Sequence, residues 1–259
     1  MVEPGPLPKG SQPANASNEQ EASREVRKMF TRIAPRYDLL NHLLSAQMDR
    51  HWRARAAREL QPVLQRPDAL VLDVCCGTGD LAFSLARRAK AAIMGADFSH
   101  TMLVRARQKA REQNSASPIP FLEADALRLP FADATFDLVT TAFGFRNLAN
   151  YEAGLREILR VLKPGGTLAI LEFTEPAPGL IGGAYRFYCQ KVLPKIGGWI
   201  SGDSAAYAYL PKSVARFFRP EELAGLMRNA GYSAVRYQLM TLDSVALHLA
   251  TRPNLAPAS

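Results

Sequence analysis

Cysteine is scarce in this chain of 259 residues: there are three, Cys75, Cys76 and Cys189. They lack paired metal-ligand spacing and adjacent cysteines make a poor disulfide, so neither a disulfide framework nor a metal centre is expected. All three read as packing residues. Long apolar runs are missing as well. None reaches the roughly 20 residues that span a bilayer, and the amino terminus lacks the apolar core of a signal peptide, so the expected setting is the cytoplasm. Acid is in deficit, with 24 Asp and Glu against 32 Lys and Arg and a net charge of +8. That balance suits nucleic acid, an anionic membrane surface or plain solubility. No RNA-binding signature accompanies it, so nucleic acid is not an expected partner. Histidine is sparse too, and the scattered His42, His100 and His248 read as structural.

What is present suffices for one domain. At 47% hydrophobic the chain can bury a full core. Residues 1–22 are rich in Pro, Gly, Ser, Asn and Gln and are expected to form a disordered tail, with a second tail at 253–259. Between them, 23–252 is expected to be a single domain. Its first part, 23–66, has helical periodicity, with Val26, Met29, Phe30 and Ile33 on one face and a break at Pro35. Helices that precede a sheet in this way are expected to cap its ligand edge.

The middle of the chain alternates strand and helix. Strands are expected near 70–74, 92–97, 119–123, 137–142 and 167–173, with helices near 78–89, 99–113 and 151–162. Right-handed crossovers make this a doubly wound, mostly parallel α/β sheet. An insertion at 176–218 follows, rich in aromatics, and alternating runs at 233–240 and 244–251 close the chain as an antiparallel hairpin.

The chain is organised around Leu70 to Asp97. Leu70-Val71-Leu72-Asp73 runs into Cys75-Cys76-Gly77-Thr78-Gly79-Asp80, and a second apolar run ends at Asp97. This is a strand, a glycine turn, a helix and a second strand, with two carboxylates at the strand ends where open α/β sheets bind ligands. Gly77 and Gly79 permit positive φ and close approach of a ligand to the main chain. Gly77-x-Gly79-x-x-Ala82 also matches the loose dinucleotide fingerprint, which keeps a nicotinamide enzyme in view. Asp73 argues the other way. An acid at the turn repels a pyrophosphate but accommodates the cationic amine and sulfonium of S-adenosylmethionine.

Several further stretches carry a resemblance. Phe121-Leu122-Glu123-Ala124-Asp125-Ala126, Phe136-Asp137-Leu138-Val139 and Leu162-Lys163-Pro164-Gly165-Gly166 look like successive motifs of class I S-adenosylmethionine-dependent methyltransferases. Met29-Phe30-Thr31-Arg32-Ile33-Ala34-Pro35-Arg36-Tyr37-Asp38, His51-Trp52-Arg53, Phe143-Gly144-Phe145-Arg146-Asn147 and Leu171-Glu172-Phe173-Thr174 narrow it. Together they resemble the quinone-ring C-methyltransferases of menaquinone and ubiquinone biosynthesis, the UbiE/MenG family. Asp49, Leu40, Thr174 and Ala142 depart from the family's pattern.

The resemblance implies that Thr78, Asp97 on the ribose, and Asp125 with Ala126 beside the adenine hold S-adenosylmethionine, the turn being shaped by Asp73, Gly77 and Gly79. It implies methylation of a ring carbon of a polyprenylated quinol, which needs loss of a hydroxyl proton and therefore a general base. Arg146, stabilising the phenolate, and Asn147, fixing the quinol oxygen, are the candidates, with Tyr37 and His51 on the cap within reach of the same space. Tyr185, Phe187, Tyr188, Val192, Leu193, Ile196, Trp199 and Ile200 of the insertion offer an apolar lining for the isoprenoid tail. Peripheral contact with the inner face of a membrane and a homodimer are compatible with this reading. Its rivals are a methyltransferase of another lipid or small aromatic molecule and a catalytically silent S-adenosylmethionine-binding scaffold.

Overall fold

The computed structural model describes residues 9–11, 13, 16–34, 37–38, 45, 47–113, 118–175, 209 and 212–254. The helices are α1 (Glu19–Ile33), α2 (Met48–Glu59), α3 (Gln61–Leu64), α4 (Asp80–Ala86), α5 (His100–Glu112), α6 (Tyr151–Val161) and α7 (Pro220–Asn229). The strands are β1 (Leu70–Val74), β2 (Ala92–Asp97), β3 (Phe121–Glu123), β4 (Phe136–Ala142), β5 (Leu162–Phe173), β6 (Ser233–Met240) and β7 (Val245–Thr251). They form one sheet in the order β3-β2-β1-β4-β5-β7-β6. The first five are parallel, and β7 and β6 add on in antiparallel fashion.

Both faces of this sheet are covered, which is why its strands read as nearly unbroken apolar runs. Leu72, Val74, Val139 and Ile170 pack on one side with Leu155 and Ile158 of α6 and Met227 of α7. Their neighbours Val71, Leu138 and Leu171 face the other side, against Trp52 of α2, Leu85 of α4 and Leu103 of α5. Chain order reverses between β1 and β4, so the crevice at the carboxyl ends of these two strands is the topological switch point.

The helix starts are written locally. Asn18 caps α1 by accepting from the Glu21 N–H at 2.9 Å, and Asn150 caps α6 by accepting from the Ala153 N–H at 2.9 Å. The first of these corrects the expected tail: α1 begins at Glu19, inside the stretch 1–22. Nor is the chain before it wholly loose, because the Ser11 N–H donates to the Leu148 carbonyl at 2.7 Å and the Lys9 carbonyl accepts from the Tyr151 N–H at 2.9 Å. The insertion's apolar stretch from Tyr185 to Ile200, together with Cys189, lies outside the described residues.

Candidate cofactor and substrate site

A cavity opens at the switch point, between the carboxyl edge of the sheet and the cap. Its lining comes from the glycine turn, from Asp97 and Phe98 after β2, from Ala124–Leu127 after β3 and from Ala142–Gly144 with Asn147 after β4. Ser23, Phe30 and Tyr37 close it from the cap.

The turn is held in a shape that few residues tolerate. Cys75, Gly77 and Gly79 have φ of +54°, +55° and +87°, and a Cβ on Gly79 would sit 2.9 Å from Phe83. Asp97 fastens the turn from the neighbouring strand. Its carboxylate accepts from the Gly77 N–H and the Ser99 N–H, both at 2.8 Å. A carboxylate accepts about four hydrogen bonds, so capacity remains for two ribose hydroxyls. Burial raises its pKa to about 6, the two N–H bonds opposing.

Asp73 is wholly buried beside the same cavity. One oxygen accepts from the Thr140 hydroxyl at 2.9 Å, and among the described residues the other has no partner. Burial drives its pKa up to about 7, against the pull of the Thr140 bond. An orphaned buried carboxylate oxygen fits a cationic ligand. Asp125 accepts from the Leu127 N–H at 2.9 Å and, with Ala126, borders the far end of the cavity. Thr78 donates its hydroxyl proton to Asp38 Oδ1 at 2.5 Å. Of the expected cofactor residues, Asp73, Gly77, Thr78, Asp97, Asp125 and Ala126 line this cavity, while Gly79 shapes the turn without lining it.

The expected catalytic residues divide. Asn147 lines the cavity, its amide oxygen accepting from the Tyr209 hydroxyl at 3.1 Å. Tyr37 also lines it, with its ring edge-on to Phe30 at 6.0 Å between centroids. Arg146 does not line it. Its guanidinium is buried on Glu172 at 2.7 Å, donates to the Phe143 carbonyl and lies over the Phe173 ring at 5.3 Å. Its charge is paired with Glu172, so any stabilisation of a phenolate would be exerted from outside this lining. His51 is exposed on α2 and lies outside the lining. It sits on the helix face opposite the buried Trp52, Arg53 and Ala56.

Several lining residues were not among the expected site residues. Cys75 and Cys76 pack against the core, as expected, and both also border the cavity, with thiol pKa values pushed well up by burial. Their place within the glycine turn was the available signal. Arg53 and Phe143 also line it, and Phe143 is held at φ +58°. The adjoining Gly144 is obligatory, since a Cβ there would fall 2.5 Å from that of Cys75.

Comparison with known proteins agrees with this geometry. The model of the ubiE/COQ5 methyltransferase family matches residues 16–252. A demethylmenaquinone methyltransferase of Thermus thermophilus is 52% identical over 226 residues, covering 87% of this chain and 100% of the relative. The ubiquinone/menaquinone biosynthesis C-methyltransferase UbiE of Syntrophotalea carbinolica is 44% identical over 230 residues, covering 88% and 94%. Among solved structures, a SAM-dependent methyltransferase from Thermotoga maritima superposes with a TM-score of 0.61 at 21% identity, covering 87% of this chain and 99% of that one. That last likeness speaks to the fold alone.

Proposed function

Because this chain belongs to the ubiE/COQ5 methyltransferase family, we propose that its switch-point cavity holds S-adenosylmethionine and that the ring methylated is that of demethylmenaquinol. It is an S-adenosylmethionine-dependent C-methyltransferase of menaquinone or ubiquinone biosynthesis. The observation that carries the finer reading is that the carboxylates Asp73, Asp97 and Asp125 line one cavity together with Asn147. Such a lining suits a cation with a ribose, and Asn147 offers an amide to a phenolic oxygen.

The cofactor supplies an electrophilic methyl on a sulfonium. The remaining tasks fall to this chain. Asp97 accepts from the ribose hydroxyls and Asp125 from the adenine amine. Asp73 neutralises the positive charge at the turn. Asn147 holds the quinol oxygen, oriented through its bond from Tyr209, while Phe143 and Tyr37 keep the reacting centre dry. Arg146 acts at one remove, fixing the backbone that carries Asn147. When bound, the cofactor would give its methyl to the ring carbon as its carbon–sulfur bond broke, and the ring proton that the methyl replaces would pass to water.

Because the ring carbon must donate electrons, the reduced form is the substrate. Transfer of labelled methyl into extracted lipid should proceed with demethylmenaquinol under anaerobic reducing conditions and be nearly absent with the oxidised compound. Equal rates with quinol and quinone would overturn this mechanism.

The reading extends to where the substrate is met. Leu242, at the turn between β6 and β7, is 60% exposed, and Arg50, Arg55 and Arg58 are exposed on α2, the helix whose Trp52 donates to Thr241 of that turn. This face supports peripheral contact with an anionic membrane.

A further inference from the structure

We infer that Lys109 and Thr78 form the seat for the α-carboxylate of S-adenosylmethionine, and that Asp38 of the cap competes for that seat. The inference rests on the cofactor reading above and goes beyond it to a residue and a coupling that the family motifs do not mark.

The geometry comes first. A threonine hydroxyl has one proton to give. Thr78 gives it to Asp38 Oδ1 at 2.5 Å and accepts from Lys109 Nζ at 3.1 Å. Lys109 Nζ also donates to Asp38 Oδ2 at 3.1 Å and to Asp80. One carboxylate, that of Asp38, is thereby held by a hydroxyl on one oxygen and an ammonium on the other. Nothing in that grip is specific to an aspartate. Any carboxylate brought to the same place receives the same two donors.

The cofactor's carboxylate belongs there for electrostatic reasons. With adenine at Asp125–Ala126 and ribose at Asp97, the amino-acid end runs past Gly77 toward Thr78. Its only anion must avoid Asp73 and Asp97 and reach a cation. Among the described residues, Arg53 lines the cavity, and Lys109, outside the lining, reaches Thr78 and Asp80, which belong to it. Arg53 is already committed to Asp49 and, at 3.3 Å, to Asp80. Lys109 has three rotatable donors and can keep Asp80 while exchanging Asp38 for the ligand.

Both carboxylates cannot occupy the seat. Lys109 and Arg53 already face Asp38, Asp49 and Asp80, and a further anion against Asp38 is repelled at contact distance. Arrival of the cofactor therefore displaces Asp38. Its neighbour Tyr37 lies against the glycine turn, with Cε1 3.9 Å from where a Cβ on Gly77 would be. Exchange at Thr78 thus moves the cap residue that borders the reacting centre, so cofactor binding is coupled to the cap.

The test compares two ligands by calorimetry on the full chain: S-adenosylmethionine, and 5′-methylthioadenosine, which keeps the nucleoside but lacks the aminocarboxylate. Asp38→Asn should bind S-adenosylmethionine about fivefold more tightly, since a nearby like charge is gone. Lys109→Met should bind it at least about tenfold more weakly, the loss of a charge-assisted bond. Methylthioadenosine affinity should stay within about twofold in both, which also certifies the fold. An equal loss of both ligands in Lys109→Met, or weaker S-adenosylmethionine binding in Asp38→Asn, would overturn the inference. Should Lys109→Met fail to fold, the Asp38→Asn result decides alone. A wild-type chain that bound neither ligand would instead overturn the cofactor reading.

Discussion

At the scale of single residues, Asp73 is the most consequential side chain. Its pKa is raised from 3.8 to about 7 by burial. Between those values the folded chain holds a proton that the unfolded chain has released. Stability therefore falls as pH rises through this window, and the cost is complete above about pH 7. Asp97, raised to about 6, acts in the same sense, while His248, lowered to about 4 by burial, acts in the opposite one. A bound cation reverses the burden on Asp73 by favouring its ionised form. We therefore expect S-adenosylmethionine affinity to rise from pH 6 to pH 8 with release of a proton, read from calorimetry in buffers of different ionisation enthalpy. Asp73→Asn should melt several degrees higher at pH 8 without cofactor, bind the cofactor at least about tenfold more weakly and lose most of the pH slope. Unchanged affinity and slope would remove Asp73 from the site. That this acid borders the cavity was legible because it stands just before a glycine turn. Its protonation was not, because burial on both faces of a sheet depends on partners such as Thr140, distant in sequence by 67 residues.

At the scale of elements, the segment after β4 shows where sequence reasoning runs out. Phe143-Gly144-Phe145-Arg146-Asn147 announces itself as a site, and an arginine beside an asparagine invites a catalytic reading. The register of the sheet decides otherwise. Ala142 pairs with Leu171, and the Phe143 N–H donates to the Leu171 carbonyl at 2.8 Å, which brings Arg146 against Glu172, the next residue on β5. Strand register of this kind does not show in a string of residues, so the ion pair was not legible. Only Asn147 of the two faces the cavity. The consequence is energetic. Removing one member of a buried pair strands the other, at a cost of roughly 3–5 kcal/mol, or on the order of 10 °C in melting temperature. Arg146→Met and Glu172→Gln should each show that loss, and Arg146→Met/Glu172→Met should recover much of it. Asn147→Ala should instead leave the melting temperature within a few degrees and lower kcat far more than cofactor affinity. If Arg146→Met melted like wild type and lost only turnover, Arg146 would return to the chemistry.

At the scale of the whole molecule, the order of elements followed from period and punctuation: two-faced apolar strands, amphipathic helices and glycine turns between them. The hairpin of β6 and β7 was equally plain from alternation. The surface it makes with α2 was not, since the two lie far apart in the chain. The turn between these strands carries Thr241, Leu242 and Asp243 at φ of +48°, +54° and +62°, a run that L-residues adopt only at a cost. It is pinned by Trp52, whose ring N–H donates to the Thr241 hydroxyl at 2.8 Å, and by Ser244, which donates to the Thr241 carbonyl at 2.7 Å. Leu242 is thus presented outward by a braced turn rather than left over on a loose one. Trp52 packs on Phe143 at 5.9 Å between centroids, and Phe143 lines the cavity. The exposed leucine therefore adjoins a turn residue that is linked through Trp52 and Phe143 to the site, and the helix that carries Trp52 has three exposed arginines. On the membrane reading proposed above, each Arg brought near anionic lipid contributes about 1 kcal/mol. The full chain should sediment with vesicles containing phosphatidylglycerol and should do so less with phosphatidylcholine alone or at high salt. Leu242→Asp and Arg50→Glu/Arg55→Glu should each weaken that binding at least about tenfold while leaving S-adenosylmethionine affinity unchanged. Vesicles without quinone suffice, so the result does not depend on the substrate assigned. Binding that ignored lipid charge, or survived both variants intact, would place the membrane contact on another face.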